Sequence, residues 1–243
     1  MMEKTGRLYG VGVGPGDPDL ITVKGVKAIQ SADIVAYHET AKQNSNALKI
    51  ARSWIKEHTE LLPITYPVTT EISSKSYIYK EKLNQFYSEI TETIDKQLAM
   101  GKNVVILAEG DPLFYSSFMY IYDVLGKKYP TEIIPGISSI FGAASVLQTP
   151  LCYRNQSFTV LSGVLEKDEL IQRLNTTDAF AILKLGRNLD KVRDALEHCG
   201  LMDRALYIER ATMDNERVIA LREVDGTQSP YFSLILVPGT PVN

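Results

Sequence analysis

The first hydrophobic run of the chain, RLYGVGV at residues 7–13, is β-favouring and ends in glycine and proline, as a buried strand does where it enters a loop. In the segment that follows, Leu20, Val23, Val26 and Ile29 outline a short helix, closed by residues 31–33. DIVAY at 33–37 is a second short apolar run. Strand, helix and strand within about 30 residues make the βαβ unit of a parallel sheet.

The alternation continues. Residues 46–56 read as a helix, and residues 59–66 as an extended segment broken by Pro63 and Pro67. Between residues 75 and 100, Ile78, Leu83, Phe86, Ile90, Ile94 and Leu98 recur every three to five positions, an amphipathic helix with Gly101 as its C-cap. NVVILA is a buried strand that stops at Gly110-Asp111-Pro112, and a helix is expected over residues 115–127. TEII turns at Pro135-Gly136 into a helix from Ser138. The turn-rich QTPLCYRNQS (148–157) suggests a domain boundary, giving domains 1–148 and 149–243. Beyond it SFTVLSG, DAFAILKLG and ALYIER predict strands. Leu189, Val192, Leu196 and Cys199 predict a helix with Asn188 as N-cap and Gly200 as C-cap. ERVIALREV and YFSLILVPG read as strands with no helix between them, so the second sheet is expected to be mixed and the first mainly parallel.

Composition narrows the classes. The 243 residues suffice for one large domain or two ordinary ones, and 44% hydrophobic against 23% charged residues is the balance of a globular protein. A formal charge of −3 disfavours a general nucleic-acid binder. Cys152 and Cys199 form no CxxC pair, and His38, His58 and His198 stand isolated, so neither a disulfide framework nor a metal site is expected. No segment has membrane-spanning length and MMEKTGRLYG lacks a signal peptide's apolar core, so the expected compartment is the cytoplasm.

GVGVGPGD at residues 10–17 invites a phosphate-loop reading, and the spacing refuses it. In the GxGxxG frame the third glycine position falls on Pro15 or Asp17, no GK[ST] follows, and the acids Asp17 and Asp19 would repel a pyrophosphate. What remains is a tight turn, or a close backbone approach to a ligand at a strand's C-terminal end. AEGDPLFY (108–115) ends a buried strand with Asp111, which can accept bonds from a ligand or cap the next helix. In IPGISS (134–139) Ser138 and Ser139 sit at a helix start, where backbone N–H groups can hold a carboxylate or the serines simply cap. LKLGRN (183–188) and IERATM (208–213) supply two further loops. Five such loops can converge on one cleft between two domains, where small ligands are often bound.

Together GVGVGPGDPDLIT, AEGDPLFYSSFMY, IPGISS, KLGRNLDKVRDAL, YIERATM and YFSLILV resemble the tetrapyrrole methylases, the S-adenosylmethionine enzymes of cobalamin and sirohaem synthesis, from about residue 6 to residue 237. The longer stretches are most similar to the subgroup that methylates C20 of precorrin-2 or cobalt-factor II. The resemblance implies two αβα domains with the cofactor folded into the cleft between them. Carried over residue by residue, it implies cofactor contacts at Gly110, Asp111, Pro112, Phe114 or Tyr115, Ser138, Ser139, Leu185 and Ala211. It puts Gly12, Gly14, Pro15, Gly16 and Asp17 on the tetrapyrrole side.

The chemistry asks chiefly for placement, with methyl and ring carbon ~3–3.5 Å apart and water excluded. Asp17, Glu109 and Glu209 are candidates for a proton acceptor, and no dedicated base is required. Lys184, Arg187 and Arg210 are the candidates for the acetate and propionate arms of the substrate. Tyr115, Phe118, Tyr120 and Tyr122 read mostly as helix packing, with one or two free to stack on the ring. No residue reads the metal; of the two substrates the cobalt-containing one is preferred, and His38, taken to lie just past a strand end, could lie near it. Relatives imply a homodimer, for which the tyrosine-rich residues 77–87 offer a surface. The alternatives are a methylase of the same fold acting at another ring carbon or on a macromolecule, and a non-catalytic module binding an adenine-containing ligand or a porphyrin.

Overall fold

The strands β1 (Leu8–Gly12), β2 (Ile34–Glu39), β3 (Glu60–Thr65), β4 (Val104–Ala108) and β5 (Thr131–Ile134) form one sheet in the order β3-β2-β4-β1-β5, every pairing parallel. The computed structural model describes residues 5–42, 44–67 and 77–241. Parallel strands buried on both faces need a cover on each. Here α1 (Val23–Gln30) and α2 (Asn46–Ala51) bring Ala28, Ile29, Ile50 and Ala51 onto Val11, Val35, Val105 and Leu107. On the opposite face α3 (Tyr77–Ala99) and α4 (Phe118–Leu125) set Ile94, Leu98, Phe118 and Ile121 against Leu8, Ile34, Val104 and Ile106.

The pattern foresaw most of this. Gly101 closes α3 at φ +83°, where its N–H donates to Leu98 O (3.0 Å) and that of Lys102 to Gln97 O (3.2 Å), a left-handed cap that only glycine adopts cheaply. The expected start of this helix at Lys75 lies outside the described residues. The helix expected over residues 115–127 is shorter, Phe118–Leu125. Pro63 does not break β3: it pairs in register with Tyr37. The strand is at the sheet edge, where a missing N–H costs no ladder bond.

The second sheet runs β6 (Phe158–Ser162), β7 (Ala179–Leu183), β10 (Ser233–Val237), β8 (Leu206–Glu209), β9 (Arg217–Ile219). It is mixed, as expected: β6 and β7 are parallel, and the other pairs are antiparallel. On one face α6 (Lys167–Leu174) and α7 (Leu189–His198) pack Leu170, Val192 and Leu196 against Phe180, Ile182, Tyr207 and Ile235. On the other, α5 (Ser139–Val146) packs Ile140 and Ala143 on Ala181, Ile208 and Leu236. Each unit is therefore an αβα layer structure.

Three details differ from the sequence reading. Chain contacts divide the protein into Met1–Ser138 and Ser139–Asn243, earlier than the turn-rich segment at residue 148, because α5 joins the second core. The helix α6 was not foreseen; its signals are Leu170 and Leu174 one turn apart and the acids Asp168 and Glu169 in its first turn. Asn188 precedes α7 without capping it. The short 3-10 turn at Gly186–Asn188 leaves it helical rather than extended, and its Nδ2 donates to Lys184 O (3.2 Å).

Ile106 on β4 has no exposed surface and lies under both α3 and α4. Ile106→Ala should lower the free energy of unfolding by about 2–5 kcal/mol, read as a fall in the denaturation midpoint with the slope unchanged.

Candidate functional site

In the first sheet β1 lies between β4 and β5, so three loops leave the C-terminal edge side by side. Open α/β sheets bind ligands at this edge. The loops meet backbone to backbone. Gly14 and Gly110 exchange two bonds, Gly110 N–H to Gly14 O at 2.8 Å and Gly14 N–H to Gly110 O at 3.4 Å. A Cβ on Gly136 would stand 2.0 Å from Gly110 O and 2.7 Å from Gly12 Cα; one on Gly12 would stand 2.5 Å from Gly136 N. Asp111 ties the same junction, Oδ1 accepting from Leu113 N (2.9 Å) and Oδ2 from Gly136 N (3.1 Å). The glycine-rich loop therefore makes its close approach to its neighbours' main chain.

Around this junction the candidates take definite places. Pro15 and Pro112 are buried, and Gly16 and Asp17 half-buried. Asp17 Oδ1 accepts from Asp19 N (2.9 Å) and opens the 3-10 turn at Pro18–Leu20. Phe114 and Tyr115 are exposed and pack edge to face, centroids 4.8 Å apart, with Tyr115 held at φ +55°. Ser138 closes the first unit and Ser139 opens α5 of the second, so IPGISS spans the division. Glu109 reaches solvent but is crowded by protein, and that partial desolvation pushes its carboxyl pKa up. The Ala47 N–H donated to its Oε1 (3.2 Å) opposes the rise.

In the second unit Lys184 (φ +59°) follows β7, and Arg210 (φ +49°) and Thr212 (φ +67°) follow β8. Left-handed backbone at non-glycine residues is uncommon and collects at functional loops. Lys184 and Arg187 are exposed, and Arg187 makes no ion pair among the described residues. Two expectations need correction. Arg210 is already engaged within the second unit: it donates to Glu209 Oε2 (2.6 Å) and to Asn215 O (3.0 Å). Glu209 is not a free base, because it is almost wholly buried and also accepts from Tyr207 OH (3.1 Å), with Arg217 at 3.6 Å. A buried carboxylate must be paired, and these partners pair it. Leu185 and Ala211 commit their side chains to the second unit's hydrophobic clusters, so only their backbone can serve a ligand.

The sequence reading also missed a cluster next to the loop after β4. His38 is inside β2, not past its end, and stacks on Tyr66, centroids 5.2 Å apart at 24°. Tyr66 continues through Phe86 and Tyr87 to Tyr120. His38 Nε2 is buried without a hydrogen-bond partner, and burial pushes the imidazole pKa down to about 4. No sequence periodicity marks such a cluster, because its members come from β2, the end of β3, α3 and α4. Among the described residues no group of three or more His, Cys, Asp or Glu is placed to hold a metal ion. No described helix is long and apolar enough to cross a membrane.

Residues 7–225 match the family described as Tetrapyrrole (Corrin/Porphyrin) Methylases. The chain is 44% identical over 234 residues to a precorrin-2 C(20)-methyltransferase of Sinorhizobium sp, covering 96% of each chain. It is 30% identical to the cobalt-precorrin-2 C(20)-methyltransferase of Salmonella typhimurium, again over 96% of each. Among solved structures, cobalt precorrin-4 methyltransferase, CbiF, superposes with a TM-score of 0.72 at 26% identity, over 96% of this chain and 94% of that one.

The lowered pKa of His38 sets a pH window. The unfolded imidazole titrates near 6.5 and the folded one at about 4, so between these values the unfolded chain binds the extra proton. This contribution is whole above pH 6.5 and lost as pH falls toward 4, about 3 kcal/mol over the window. His38→Phe keeps the stack and should flatten the fall in thermal midpoint over that range.

Proposed function

The chain belongs to the tetrapyrrole (corrin/porphyrin) methylases, and from that premise we propose that it transfers the methyl group of S-adenosylmethionine to C20 of a reduced tetrapyrrole in cobalamin synthesis. The observation that carries this is the 44% identity over nearly the whole length of a precorrin-2 C(20)-methyltransferase. The 30% identity to the enzyme named for the cobalt form favours the metal-free substrate of the two.

When bound, S-adenosylmethionine supplies a methyl on a positive sulfonium, already electrophilic. The chain's part is to bind, orient and keep water away. The rings of Phe114 and Tyr115 offer π faces suited to the sulfonium charge. Gly110, Asp111, Pro112, Ser138 and Ser139, with the backbone at Leu185 and Ala211, hold the rest of the cofactor. A Cβ at Gly186, in the loop after β7, would meet nothing within 4 Å, which leaves room beside that backbone.

Lys184 and Arg187 receive carboxylate arms of the macrocycle, each exposed contact worth about 1 kcal/mol or less, so that they act by summation. Gly12, Gly14, Pro15, Gly16 and Asp17 face the ring. Methylation at C20 would leave a proton on that carbon for a base of this chain to accept. Glu109 is the acceptor we favour, through Oε2, since Oε1 holds the Ala47 N–H. Unlike Glu209, it is not neutralised by arginines. We extend the reading to a cytoplasmic homodimer; the exposed apolar side chains Leu113, Tyr120 and Val124 are suited to a subunit contact, and the −3 charge to a non-nucleic-acid partner.

Incubation with methyl-labelled S-adenosylmethionine and either precorrin-2 or cobalt-factor II should yield a product heavier by one methyl, located at C20 by NMR. Methylation at another carbon would instead assign it to another branch of the family, and ligand binding without turnover would make it a binding module. A base must be deprotonated, so kcat should fall as pH drops through the raised pKa of Glu109, above the ordinary 4.5. Glu109→Gln should remove that limb and lower kcat by about 10²-fold.

A further inference from the structure

We propose that Tyr66, Tyr87 and Ser117 form a hydroxyl clasp whose task is to fix the loop of residues 109–117 in the conformation that grips the cofactor. Ser117 is the last residue of that loop and stands at the N-cap position of α4, yet its side chain makes no cap bond. The neighbouring Ser116 Oγ accepts from Phe118 N (3.2 Å) instead. The Ser117 hydroxyl is engaged elsewhere: Tyr87 OH donates to it at 3.1 Å, and Tyr66 OH is hydrogen-bonded to it as well. One small hydroxyl thus joins three elements, since Tyr66 follows β3, Tyr87 lies in α3 and Ser117 precedes α4. Tyr66 is itself held, its N–H donating to Glu39 O (3.1 Å) and its ring stacked on His38.

The loop so fastened has a demanding conformation. It begins with Gly110 at φ +67° in the glycine junction and passes through Tyr115 at φ +55°. Its first half is fixed by Asp111 and Gly14, and at its far end the clasp adds polar links to Tyr66 and Tyr87 beside the buried Phe118. The exposed Phe114 and Tyr115 lie between these two anchors. The clasp adds to what holds Tyr115 in its left-handed conformation, so that less ordering of the ring pair is left to each binding event. Tyr66, Tyr87 and Ser117 are accordingly positioning residues, acting through the loop. The proposal rests on the reading that this loop holds S-adenosylmethionine.

The test measures S-adenosylhomocysteine affinity by calorimetry, together with kcat and the KM of each substrate, on the full chain. Tyr66→Phe and Tyr87→Phe keep the rings and remove one hydroxyl each. Each should weaken S-adenosylhomocysteine binding by about three- to tenfold and raise the donor KM in parallel, with the tetrapyrrole KM and the thermal midpoint nearly unchanged. Ser117→Ala should reproduce the double tyrosine variant, and Ser117→Thr, which restores a hydroxyl, should recover most of the affinity. Unchanged affinity in the tyrosine variants would overturn the clasp, as would a loss of affinity that merely tracks a falling thermal midpoint. Phe114→Ala and Tyr115→Ala provide the control on the underlying reading. Weaker binding in these two but not in the clasp variants condemns the clasp alone; unchanged binding in all of them condemns the loop assignment, and the clasp with it.

Discussion

The fold converges on one steric constraint: three loops of the first unit touch main chain to main chain, where no Cβ fits. Gly12 and Gly136 are needed because each neighbour's backbone already occupies the space a side chain would take, and Gly110 because its φ is +67°. Sheet order explains why the constraint arises. With β1 between β4 and β5, the polypeptide leaves three adjacent parallel strands in the same direction, and the exits crowd. Asp111 then turns crowding into rigidity, one oxygen bracing its own turn and the other the next loop's N–H. A loop cluster held this way presents a fixed set of backbone groups without requiring reactive side chains, which suits a reaction that depends on placement.

The same constraint explains why GVGVGPGD misleads a motif reader. Gly14 carries the positive φ and Gly12 the close approach that phosphate loops also need, but here the partners of the close approach are Gly110 and Gly136, in the loops after β4 and β5. Spacing alone excluded the dinucleotide fingerprint; it could not say what took the phosphate's place, because the contact joins residues about a hundred positions apart in sequence. Local periodicity made β1, β2, α3 and α7 legible, since each buries a face dictated by neighbouring residues. Pro63 misread the edge strand because tolerance of proline depends on which strand lies outermost. The domain limit was misplaced because α5 chooses its sheet by packing, and turn residues after it mark only where the helix ends.

Charge placement was the least legible part of the site, for a physical reason. A sequence shows that Glu209 and Arg210 are adjacent but not that β8 buries the carboxylate, and burial decides their fate. Once Glu209 is enclosed, removing its cation would leave a desolvated charge, so Arg210 becomes part of the fold. Lys184 and Arg187, by contrast, lie exposed in the loop after β7.

Glu109 and Glu209 complete the contrast. Glu109 follows the buried strand β4 and Glu209 is the last residue of β8, and both are crowded by protein. Two arginines surround the second and keep it an anion of structural use, whereas the first has one backbone N–H and a pKa raised by desolvation. A carboxylate that pays for its position without a cation gains most from a proton or a positive ligand nearby.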